Sequence, residues 1–100
     1  MAKIDSNRLL RELGDGAWAA IDKSMQAGAG VEDVITAAVL VHIAVTAERR
    51  FGDWCPRLRD VYRVYIDSLA VRLTEVDDGS LDFAKAAADA IGRARKACDE

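Results

Sequence analysis

The chain has 100 residues, of which 51% are hydrophobic and 31% are charged, and its formal net charge is −3. Domains commonly contain about 100–150 residues, so residues 1–100 are predicted to form a single helical domain. One proline and two cysteines exclude a collagen-like chain and a disulfide scaffold, and the apolar content excludes a disordered tail. Because 18 of the apolar residues are alanine, large side chains for a core are few.

Neither export nor membrane insertion is predicted. The first eight residues contain no apolar stretch of signal-peptide length. The longest apolar run, residues 35–45, falls well short of the roughly 20 residues that span a bilayer. We therefore expect a cytoplasmic protein. Cys55 and Cys98 form no CxxC pair, so we expect two reduced thiols, and the sequence leaves open whether either is exposed.

The first segment keeps one apolar stripe although two glycines interrupt it. The stripe consists of Leu10, Leu13, Ala17, Ile21 and Met25. It stays in helical phase across Gly14 and Gly16, each of which costs a helix interior about 1 kcal/mol relative to alanine. Residues 6–27 therefore form either one kinked helix or two short ones.

The second segment is predicted to be the central helix. It opens with Glu32 and Asp33 and closes with Arg49 and Arg50, so both ends suit the helix dipole. Apolar side chains between residues 34 and 45 face nearly all directions, as in a helix buried on every side. The β-branched run at residues 39–45 also fits a strand, but the length and the end charges favour a helix.

The last two segments complete an all-α fold. From Leu58 to Val76 apolar residues recur at steps of three and four, which predicts an amphipathic helix with Arg63 paired to Asp67 on its outer face. Residues 77–80 then break the pattern, and a final helix follows with an apolar stripe made mostly of alanine. We expect a compact bundle of four or five helices.

No catalytic, metal or cofactor site is predicted. Residues 14–19 spell the GxGxxA dinucleotide motif, but that motif requires a preceding strand, so a kink or loop is favoured. His42 is the single histidine, and its neighbours one helical turn away are neither acids nor nucleophiles. The spacing of His42, Cys55 and Cys98 is not characteristic of a metal site.

An acidic turn is one candidate surface for a protein partner. The excess negative charge lies near the end of the chain, at Glu75, Asp77, Asp78 and Asp82. The spacing does not match a helix–loop–helix calcium site. The segment is either a solvated turn or a patch complementary to a basic protein surface.

An arginine–aromatic segment is the second candidate. It includes Trp54, Arg57 and Arg59, in a chain with ten arginines and four lysines. Such a segment suits a protein interface or nucleic acid, and the interleaved aspartates and the acidic chain make direct nucleic-acid binding the weaker alternative. Equally, its tyrosines could be core residues and its arginines solubilising. The early segment around Arg11, Asp15 and Trp18 is the remaining choice.

The predicted function is binding without catalysis. In size, in lacking a catalytic set and in the acidic turn at residues 75–78, the chain resembles the small anti-CRISPR proteins of phages and mobile elements. That resemblance implies an inhibitor that occupies the nucleic-acid-binding surface or a subunit contact of a CRISPR surveillance complex. The alternatives are a self-associating helical subunit or adaptor, which the small core favours, and an antitoxin-like partner protein.

Overall fold

Four helices form the fold in the computed structural model, which describes residues 6–76, 79 and 81–99. They are α1 (Ser6–Met25), α2 (Val31–Phe51), α3 (Pro56–Val76) and α4 (Leu81–Asp99). Trp18 packs on Tyr65 and Arg72 bonds Ser24, so α1 and α3 run parallel. No strand occurs within the described residues. The predicted all-α bundle is confirmed, with four helices.

Helix α1 runs without interruption from Ser6 to Met25. Of the two alternatives for this segment, a single helix is found. A side-chain carbon at Gly14 or Gly16 would meet no atom within 4 Å, so packing does not require either glycine. The turn after α1 does use one: Gly28 has a φ of 89°, in the left-handed region that favours glycine.

Helix α2 is central, because it contacts the other three helices, as α3 also does, and buries seven residues where α3 buries three. Val34, Val41 and Val45 are completely buried along its length. Its first turn is closed by the Gly30 amide, which donates to Asp33 Oδ2 at 3.0 Å. The strand alternative for residues 39–45 is therefore wrong. Within the described chain α1 and α4 share no contact, so α2 separates them.

The core is small, as the alanine content predicts. Helix α4 buries Ala87, Ile91, Ala94 and Cys98. Alanine adds little apolar area but lets two helix backbones approach closely, and α4 packs against both α2 and α3. Both cysteines are free, as expected: Cys98 is buried and Cys55 is exposed.

Two arginines bond the carbonyl groups at the ends of neighbouring helices. Arg49 donates to the carbonyl oxygens of Ala97 (2.9 Å) and Cys98 (3.2 Å). Arg72 donates to those of Ser24 (2.8 Å) and Gln26 (3.0 Å). The last four carbonyl groups of a helix have no partner inside it, and cations are favoured there. The two guanidinium groups thus stabilise the C-terminal ends of α4 and α1.

The charged pairs on α3 differ from the predicted ones. Arg63 pairs with Asp99 at 2.6 Å, and Arg95 pairs with Asp67 at 3.0 Å. The predicted pair between Arg63 and Asp67 is therefore wrong. Helix α4 lies alongside α3 and offers both residues partners of opposite charge, so each turns towards α4 rather than along its own helix.

Among the helices formed by residues 6–76 and 81–99, none combines the length and the apolar character that crossing a bilayer requires.

Candidate functional site

The acidic turn is only partly visible. Asp77 and Asp78 lie outside the described residues. Asp82 is exposed in the first turn of α4, where a carboxylate suits the positive end of the helix dipole. Its side chain forms no ion pair within the described part of the chain. Asp82 is thus available to a partner.

Two aromatic side chains of the arginine–aromatic segment, Trp54 and Tyr62, pack together, whereas Phe51 is exposed. Trp54 is half-buried, stacks on Tyr62 with ring centroids 6.1 Å apart, and has the Arg49 guanidinium 5.4 Å from its ring. Burial, together with the charge of Glu48, raises the pKa of Tyr62 to about 12. Trp54 is therefore held by contacts within the chain, as the core alternative for this segment supposes.

The arginines of that segment have different surroundings. Arg57 is exposed at the start of α3. Arg59 is half-buried, and its Nε lies 4.0 Å from Asp60 Oδ1 and makes no hydrogen bond. These positions leave Arg57, rather than Arg59, free to meet a partner.

Two further titratable groups, Cys98 and Glu48, have raised pKa values. Burial and the nearby Asp99 raise the pKa of the Cys98 thiol, although neighbouring arginines oppose that rise. A raised pKa leaves less thiolate at neutral pH, and thiolate is the nucleophilic form. Glu48 also has a raised pKa, caused first by burial and then by the charge of Asp53.

His42 lies in a shallow depression between α2 and α4. Asp89 and Arg93 line the same depression, whose volume is about 390 Å³. No hydrogen bond joins their side chains to His42 within the residues described. Nor do any three histidine, cysteine or acidic side chains there come close enough to hold a metal ion. The GxGxxA motif lies inside α1, so it forms no loop at a helix N-terminus.

An exposed apolar surface lies between α1 and α3. We call it the α1–α3 groove; its volume is about 620 Å³. Its lining residues are Trp18, Ile21, Asp22, Met25, Val64, Tyr65, Asp67, Ser68, Val71, Arg72 and Glu75. The exposed fraction is 48% for Trp18, 61% for Val64 and 60% for Val71. Clusters of large exposed apolar side chains in a soluble fold mark binding surfaces.

Two matching stripes of residues line this groove. On α3, positions 64, 68, 71 and 75 follow at steps of three and four, so they share one face. On α1, positions 18, 22 and 25 repeat the same spacing. The parallel helices place the stripes side by side, and the rings of Trp18 and Tyr65 meet with centroids 5.0 Å apart.

Sequence reasoning named Trp18 but missed Met25, Val64 and Val71 as surface residues. Helix α3 carries a second apolar stripe beside the one that faces the core, and that excess of apolar positions is visible in the sequence. It indicates that α3 has apolar residues on more than its buried face. The sequence does not show which helix lies beside this stripe; in the structure it is α1.

No protein-family model matches the chain, and comparisons with curated proteins and with solved structures find no similar protein.

Proposed function

We propose that this chain is a protein-binding module that acts by occupying a partner's surface rather than by catalysis, and that the α1–α3 groove is its main binding surface. The observation that carries the proposal is the exposure of Trp18, Val64 and Val71 on one face of a folded bundle. Tryptophan is enriched among the residues that dominate binding energy, and Trp18 lines this groove.

The finer predictions extend this proposal. An anti-CRISPR-type inhibitor would use such a surface against a subunit of a surveillance complex, and an antitoxin-like protein or a helical adaptor would use it against another chain. The acidic turn at Asp77, Asp78 and Asp82 stays a prediction from the sequence, as does the arginine–aromatic segment. Asp82 in the first surface and Arg57 in the second are exposed.

Photo-crosslinking in the cells from which the protein comes tests all three surfaces. A photoreactive amino acid is placed singly at Val64, Asp82 or Arg57, with exposed Ala88 on α4 as the matched control. We expect a discrete protein adduct from position 64 and none from position 88. Adducts from position 82 alone would indicate that the acidic turn is the binding surface, and adducts from position 57 alone would indicate the arginine–aromatic segment.

The absence of adducts at every position in a folded, expressed protein would contradict the function itself. A self-adduct would support the alternative of a self-associating subunit, which is still a protein-binding module.

A further inference from the structure

Resting on the proposed function, we infer that the α1–α3 groove receives a short cationic amphipathic helix presented by another protein. The inference joins three features of the groove: an apolar floor, an acidic rim and a length of a few helical turns.

The floor provides apolar anchoring along its length. Trp18 is supported from beneath by the Tyr65 ring, so its indole is fixed while about half of its surface stays accessible. Val64 and Val71 stand two turns apart on α3, and Met25 closes the far end of α1. Side chains at steps of three, four and seven on an incoming helix match such a row of apolar positions.

The charged side chains that line the α1–α3 groove form its rim. Three acidic side chains line the groove, Asp22, Asp67 and Glu75, against one basic side chain, Arg72. Arg72 donates to the carbonyl oxygens of Ser24 and Gln26 and pairs with Glu75. Arg95 pairs with Asp67, so among the described residues the carboxylate of this rim that forms no ion pair is Asp22. The excess of acid therefore favours a basic occupant.

Individual rim carboxylates retain acceptor capacity. Asp22 is exposed and forms no ion pair in the described chain. Among the described residues Asp67 pairs with Arg95, and Glu75 pairs with Arg72. A carboxylate offers about four lone-pair sites, so one partner leaves both of them able to bind lysine or arginine from an occupant.

The length of the groove fits about three helical turns. From Val64 to Glu75 the α3 stripe rises about 16 Å, at 1.5 Å per residue. Packed helices lie about 8–10 Å apart, so a third helix fits over the depression between two neighbours. A segment of about 11–14 residues therefore covers the floor.

Binding of a synthetic helix to the purified full chain tests the inference. The probe is a fluorescent, capped peptide of about 14 leucine and lysine residues with leucine at helical spacing, and its control has glutamate in place of lysine. We expect saturable one-to-one binding of the lysine peptide alone, measured by fluorescence anisotropy at about 0.05 M salt. Affinity should fall at about 0.3 M salt because screening weakens the rim.

Two pairs of variants locate the site. Asp22→Lys is expected to weaken the lysine peptide about tenfold, whereas Asp89→Lys, the same change on α4, should change affinity less than about twofold. Trp18→Ala should weaken binding at least about tenfold, whereas Phe51→Ala removes another exposed aromatic ring and should have little effect. If Trp18→Ala does not fold, Val64→Lys replaces it, because that side chain is largely exposed.

Several results would overturn the inference. They are no peptide binding, equal binding of the glutamate peptide, or equal losses in Asp22→Lys and Asp89→Lys. A concentration-dependent dimer in sedimentation that Val64→Lys abolishes would assign the groove to a second copy instead. Because crosslinking from position 64 in cells does not depend on the peptide, an adduct without peptide binding would refute the cationic helix and leave the binding function standing.

Discussion

Replacing Arg49 with methionine should uncap α4. Methionine keeps a flexible apolar stem but cannot donate hydrogen bonds, so the carbonyl oxygens of Ala97 and Cys98 lose the guanidinium at 2.9 and 3.2 Å. The variant also loses the cation placed 5.4 Å from the Trp54 ring. The neighbouring Arg50 is exposed, has its guanidinium 5.6 Å from the Phe51 ring and bonds no helix end within the described residues. Arg50→Met is therefore a matched control that loses a cation–π contact but no cap.

The expected loss is about 2 kcal/mol of unfolding free energy. One charge-assisted hydrogen bond contributes about 1.5–3 kcal/mol, and a cation–π contact at an exposed site about 0.5–1 kcal/mol. Because Arg49 is only half-buried and the last turn of α4 is open to water, the low end of both ranges applies. For a domain of this size each kcal/mol lowers Tm by about 4–8 °C, so Tm should fall by about 8–16 °C.

Thermal melting followed by circular dichroism at 222 nm measures this difference. Arg50→Met should change the free energy by less than about 0.5 kcal/mol, as is usual for a surface substitution. Amide exchange should also quicken in the last turn of α4 in Arg49→Met before it changes in α2. Equal Tm values for the two variants would refute the capping role of Arg49.

Three further predictions concern the core and the titrating groups. Val41→Asp should lower the free energy of unfolding by several kcal/mol, because it places an unpaired carboxylate at a completely buried position. Denaturant unfolding measures this loss. A midpoint close to that of the parent protein would contradict the placement of α2. The pKa of Glu48 is raised in the folded chain, so its stabilisation is full below its ordinary value of 4.5 and is lost as the pH rises through the folded pKa. Glu48→Gln should therefore melt above the parent at pH 7, with a difference that shrinks towards pH 4; a lower melting temperature at pH 7 would show that the carboxylate is stabilising. In the native protein a thiol reagent should modify exposed Cys55 quickly and buried Cys98 only with unfolding, and two fast groups would contradict that burial.

The sequence was sufficient for the helices and for the identity of the central one. Periodicity within a helix depends on residues three and four positions apart, so it is local and can be recognised without a fold. The apolar run at residues 34–45 faces all directions and could only be satisfied by neighbours on every side, which is the place α2 takes. Only the continuity of α1 through Gly14 and Gly16 stayed open, because the cost of two glycines is close to the gain from a longer helix.

The pairing of side chains across helices was decided by tertiary structure alone. Arg63 has an acid one turn away in Asp67, yet it pairs with Asp99, 36 positions further along the chain. Arg49 reaches a carbonyl 48 positions away. Such contacts depend on which helix faces touch and at what level, and several arrangements satisfy the same local pattern.

For the α1–α3 groove, too, the sequence determines the stripe on each helix, and the tertiary structure determines that the two stripes meet. The sequence contains both of its stripes, the one from Trp18 to Met25 and the one from Val64 to Glu75, and each by itself is a set of residues on one helical face. The two stripes form one apolar floor with an acidic rim because α2 holds α1 and α3 side by side and parallel. Periodicity fixes the face that a side chain occupies on its own helix, but the neighbour of that face is set by how the four helices bury their apolar area together.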